Sequence, residues 1–114
     1  MNLYELGQEL SEVYAELSTL KMKMSESLRD LRKLEEELEK FYRVKFLQAV
    51  EKKDSATVAK TRALEQKTNH PKYEDYLKLK VELEITEKEL KVLENQIKVL
   101  SSLQYLQTVE AKYS

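Results

Sequence analysis

The 114-residue sequence contains one glycine, one proline, no cysteine and no tryptophan. A compact sheet-containing domain needs turn residues every few positions, and a single glycine leaves almost no positive-φ turns, so that class is excluded. The one glycine, Gly7, stands near the N-terminus, where no nucleotide-binding loop could be built around it. Without cysteine there is no disulfide framework, no thiolate metal site and no cysteine nucleophile. No stretch approaches the ~18 uncharged apolar residues that a membrane span requires. The opening "MNLYELGQEL" has neither the basic region nor the apolar core of a signal peptide, so a cytoplasmic protein that does not meet a membrane is expected.

Charge and aliphatic residues are abundant instead: 36% of residues are charged and 41% hydrophobic, the balance of long helices. The net charge of −1 hides an uneven distribution. Residues 1–40 carry six Lys/Arg against ten Asp/Glu, residues 41–80 ten against five, and residues 81–114 four against six. The middle third is a basic island between two acidic arms.

Leu3, Leu6, Leu10, Val13, Leu17, Leu20, Met24, Leu31, Leu34, Leu38 and Phe41 recur at steps of three and four, with Ser27 the one polar residue in the row. That spacing predicts a helix over 3–52 with a narrow apolar seam, which only another helix can cover. In "FYRVKFLQAV" the apolar residues point in several directions, so something wider than a two-helix seam packs there. Residues 55–67 suit a short connector helix with an N-cap at Asp54 or Ser55, lying across the ends of the longer ones. Asn69, His70 and Pro71 form a break. Proline disfavours helix at the residue before it but fits a first turn, so a second long helix is expected over 71–112.

Matching lengths on either side of a connector predict an all-α, long antiparallel helical hairpin, a coiled coil forming a single domain over 1–114. Leu10, Val13, Leu17, Leu20, Leu31, Leu34 and Leu38 should face Leu83, Leu90, Leu93, Ile97 and Leu100. A second heptad series, Ile85, Val92, Val99 and Leu106, falls on a different face of the last helix. One partner helix cannot cover both. That series is therefore the candidate protein interface, for a second copy of the chain or for a different protein.

Chemistry is sparse. His70 is the only imidazole and has no positioned nucleophile or oxyanion-binding turn beside it; it reads as a turn or cap residue. One histidine cannot hold zinc. Glu35, Glu36, Glu37 and Glu39 fan around a helix axis and are read as a solvated face paired with neighbouring cations. No catalytic residue, metal or cofactor is expected. The remaining constellation is the basic island, where Arg43, Lys45, Lys52, Lys53, Lys60, Arg62 and Lys72 interleave with Phe41, Tyr42, Phe46, Tyr73 and Tyr76. Cations that follow phosphates and rings that stack on bases are what single-strand binding uses, so these are the candidate nucleic-acid contacts. The competing role for the rings is a plug closing the end of the core, with "TNHPKYEDY" as the corner near the end of the first helix.

The order of a charged first helix, the centre "DSATVAKTRALEQKTNHPKYEDYLKLK" and the late "LENQIKVLSSLQYLQ" resembles small coiled-coil proteins encoded in the early DNA-metabolism region of phages and prophages of Gram-positive bacteria. The resemblance covers most of the chain and is carried by "YEDYLKLK" and "LSSL". It implies a phage accessory factor in the host cytoplasm, near recombination or replication genes, with no enzymatic role and no defined site residues. Export hairpins with a Trp-x-Gly bend and prefoldin-like subunits with β-hairpins fit less well, because the chain has no tryptophan and "KKDSATVAKTRALEQ" has no strand alternation.

Overall fold

In the computed structural model, which describes residues 1–113, the chain is an all-α helical hairpin. Three helices follow one another: α1 Leu3–Glu51, α2 Ala56–Thr68 and α3 Pro71–Tyr113. Packing divides the chain into two compact units, one made of Met1–Ser25 with the part of α3 from Glu84 onward, the other of Glu26–Leu83.

Each helix end has a local cause. At the start of α1 the side chain of Asn2 accepts from the Glu5 amide at 2.8 Å, and Glu5 accepts from the Asn2 amide at 3.4 Å. This reciprocal box satisfies two of the amides a helix start leaves unpaired. At its other end the Lys53 amide donates to the Val50 carbonyl (2.9 Å) and the Asp54 amide to Ala49 (3.2 Å), a paired closure that puts Lys53 at φ 69°. Ser55 then caps α2 by accepting from the Val58 amide. Asp54, the other candidate cap, instead forms an ion pair with Arg62 at 3.0 Å.

In the unit of Met1–Ser25 and the C-terminal part of α3, the two helix segments run antiparallel. Gln107 Nε2 donates to the Met1 carbonyl. The core gathers Leu6, Leu10, Val13 and Leu17 of α1 with Leu93 and Leu100 of α3, and Leu20, Leu90 and Ile97 pack against it. Burying a leucine side chain contributes about 1.5–3 kcal/mol, so this row supplies most of the attraction between the segments. The buried row starts at Leu6: Leu3, in the first turn, is exposed.

The unit Glu26–Leu83 holds three helix segments. Leu38 is buried to 1% and Leu83 is buried, while Leu31 and Leu34 are half-buried. Ala49, Ala59 and Ala63 are buried as well. The small side chains of Ala59 and Ala63, one turn apart on α2, allow close approach of helix axes. Consequently α2 does not lie across the ends of the long helices; it runs back alongside the last turns of α1. Its end reaches Lys67, whose Nζ stands 4.0 Å from Glu39 and 5.8 Å from the Tyr42 ring centre. Phe41, Tyr42 and Phe46 are half-buried and Ala49 is buried on the inner side of α1, whereas Val44, Leu47 and Val50 of the same mixed apolar stretch are exposed.

Candidate interaction site

Ile85, Val92, Val99 and Leu106 stand at seven-residue intervals on α3 and are 51–59% exposed. Their exposure follows from helix geometry. At 100° per residue they point about opposite to Leu90 and Ile97 and about 100° away from Leu93 and Leu100, the residues of α3 that pack with α1. Leu103, which the heptad count passes over, lies on the same face and is exposed too. It sits four residues from Val99 and three from Leu106, a spacing that a search for both steps would have found.

Two shallow grooves follow the row. One, of 420 Å³, is bordered by Glu9 of α1 together with Val92, Asn95, Gln96, Val99 and Leu100. The other, of 350 Å³, is bordered by Lys98, Val99, Ser102, Leu103 and Leu106. Both are lined by aliphatic side chains of the row together with polar neighbours.

The seven candidate phosphate contacts do not form one surface of free cations. Arg43 pairs with Glu39 at 3.5 Å, Arg62 with Asp54 at 3.0 Å, and Lys72 with Glu37. The hydrogen bond from the Lys72 ammonium, aided by its charge, holds the Glu37 carboxyl below the usual carboxylate range. Lys45 lies 5.4 Å from the centre of the Phe41 ring, on the flank of α1. Lys52 and Lys53 occupy the turn after α1, and Lys60 is exposed on α2.

The stretch "TNHPKYEDY" is a break within the returning arm and not the corner near the end of α1. The chain reverses between Glu51 and Ala56, whereas His70 packs edge-on against Phe41 (ring centres 4.6 Å apart), ten residues before α1 ends at Glu51. The displacement follows from α2 doubling back along α1. Tyr73 and Tyr76 lie 6.0 Å apart, both half-buried, and Tyr76 borders a 490 Å³ groove with Leu38 and Lys67. Val44 is exposed, as are Leu47 and Val50 on the same outer face of α1, so none of them receives the two rings.

Among the described residues no group of three or more His, Cys, Asp or Glu is placed to hold a metal ion, and no helix is long and apolar enough to cross a membrane. No family model, curated protein or solved structure matches the chain.

Proposed function

We propose that this chain is a non-enzymatic interaction protein, an adaptor or inhibitor that works as a self-associated helical hairpin. The observation that carries the proposal is the row Ile85, Val92, Val99 and Leu106, more than half exposed on a helix whose other face is already covered. Isolated surface aliphatics need no explanation, but a heptad series of them does. The total accessible surface supports the same reading. At 8755 Å² for 13.5 kDa it exceeds the ~6,500 Å² usual for a monomer of this mass by roughly 2,000 Å², more than the ~800 Å² each partner buries in a standard interface. An accessory role for a phage or prophage in the host cytoplasm is compatible with such a module and is part of the proposal.

Sedimentation of the wild type against the double variant Val92→Glu, Val99→Glu tests it. An oligomer is expected for the wild type at micromolar concentration. The variant should sediment as a monomer, with its helical circular dichroism unchanged, because both side chains already face solvent in the single chain. A monomeric, fully helical wild type would remove self-association.

The second reading, nucleic-acid binding by an accessory protein of recombination or replication, rests on Lys45, Lys52, Lys53 and Lys60, which form no ion pair with a carboxylate among the described residues. Electrophoretic shifts with single- and double-stranded DNA test it. Affinity should fall with salt by roughly one logarithmic unit of slope per phosphate neutralised. No shift at low salt would discard this reading.

A further inference from the structure

Building on the self-association just proposed, we infer that the occupant of the α3 face is a second copy of the chain lying parallel and in register, and that a glutamate row on α1 of each copy pairs with Lys91 and Lys98 of the other. The argument is one of edges. Leu100 and Gln96 border the groove that Glu9 of α1 helps to form, so that groove marks one edge of the exposed row. Lys98 precedes Val99 where Leu100 follows it, and therefore points about 200° away from Leu100, to the opposite edge. Lys98 indeed borders the other groove, with Ser102 and Leu106. Lys91, seven residues earlier, shares that edge.

The first edge is acidic. Glu9, Glu12 and Glu16 follow one another at steps of three and four on α1, which puts them on one face of that helix. The second edge carries Lys91 and Lys98. A two-fold axis running along the helices brings unlike edges together, basic edge of one copy against acidic edge of its partner. A two-fold axis across them brings like edges together, and would set the two glutamate rows on the same side. Charge complementarity therefore selects the parallel arrangement.

The levels agree. Leu10, Val13 and Leu17 pack in one cluster with Leu93 and Leu100, so Glu12 and Glu16 stand at the height of the span from Lys91 to Lys98. In a parallel, in-register pair those heights are preserved between copies. Ile85, Val92 and Val99 are β-branched at one heptad position, as one half of a parallel two-stranded seam is; the other half, where leucine would stand, is Lys88, Asn95 and Ser102. Lys88 and Asn95, in the intervening positions, confine the apolar contact to this series and the neighbouring Leu103. The stem of Lys88 is long enough to carry its ammonium to water.

Orientation is read directly by single cysteines, because the natural chain has none. In a parallel in-register pair every position of the row meets its own copy, so Val92→Cys, Val99→Cys and Leu106→Cys should each form a disulfide-linked dimer on mild oxidation. In an antiparallel pair residue numbers run in opposite directions, and at most one of the three can meet itself. Sedimentation of the reduced variants shows separately whether the chain associates. A dimer in which only one variant, or none, crosslinks would overturn the parallel arrangement and leave self-association standing. A monomer would overturn both. Charge reversal gives the second reading: Lys91→Glu with Lys98→Glu, and Glu12→Lys with Glu16→Lys, should each weaken self-association by roughly tenfold. The two variants mixed together should form a heterodimer. Unchanged association of both charge variants would overturn the pairing of the edges.

Discussion

The backbone amide of Lys72 donates to Nδ1 of His70 at 3.1 Å, so the chain's only histidine caps the first turn of α3. Its ring also packs edge-on against Phe41, and Pro71 sets the helix going in the next position. The cap requires a ring nitrogen with a free lone pair, which the imidazolium lacks. His70→Asn retains a side-chain acceptor in capping range and should keep the helix start, although it loses the contact with Phe41. His70→Ala loses both and should cost about 1–2 kcal/mol, read as a lower midpoint in urea. Equal midpoints for wild type and His70→Ala would show that the cap contributes nothing.

Glu37 and Lys72 join α1 to the first turn of α3, and the depressed titration of Glu37 gives this link a pH signature. A carboxyl that binds its proton less readily in the folded chain than in the unfolded one adds stability where it is ionised in both. That contribution is present above the ordinary value of 4.5 and disappears as pH falls through the lower folded value. Both partners are well exposed, so the effect should be modest and should shrink with added salt. Melting temperatures of wild type and Glu37→Gln, measured from pH 7 down to pH 3, should converge at the acid end. Parallel curves across the whole range would contradict the link.

Lys53 occupies a left-handed conformation that L side chains adopt reluctantly, at a cost of about 1–2 kcal/mol. Lys53→Gly removes that strain and adds entropy to the unfolded chain, so a net gain of roughly 0.5–1 kcal/mol is expected. Lys53→Asn, which tolerates the same conformation, should gain less. Because both remove a cation from the turn, DNA binding by the two variants also measures how much Lys53 contributes to the second functional reading. A loss of stability in both would mean that the turn depends on the lysine side chain.

How much of this was legible beforehand can be traced residue by residue. The all-α hairpin was legible because the signals are local and redundant: Leu10, Val13 and Leu17 repeat at helical steps, and Pro71 marks a helix start by its chemistry alone. The exposed row on α3 was legible because a surplus heptad series needs no tertiary information to be noticed. The path of α2 was not. Ala59 and Ala63 are small and weakly patterned, so hydrophobic periodicity passes over them, yet small side chains decide how closely two helices approach. The turn at Lys53 was hidden for a related reason, since a lysine sits where glycine would have announced it. Of the ion pairs, Arg43 with Glu39 is an i,i+4 spacing that the sequence displays, but those of Arg62 and Lys72 were illegible. Asp54 lies in the turn before α2 and Glu37 on a different helix from Lys72, and neither pairing is visible in a count of charges.

The placement of α2 along α1 is the part of the fold most open to a direct test, because it rests on Ala59 and Ala63, both wholly buried. Three methylene-sized additions at Ala63 cannot be absorbed where helix backbones are already close, and overpacking of this kind costs about 1–3 kcal/mol or more. Ala63→Leu should therefore destabilise the Glu26–Leu83 unit although leucine is a good helix former and nominally more hydrophobic. Val58→Leu, on the exposed side of the same helix, should be nearly neutral. Amide exchange gives the location: in Ala63→Leu, protection should fall first in α2 and in the last turns of α1, and stay high at Leu10–Leu17. If Ala63→Leu were instead neutral or stabilising, α2 would have room beneath it, which is the situation of a helix lying across the ends of its neighbours and not of one packed along α1.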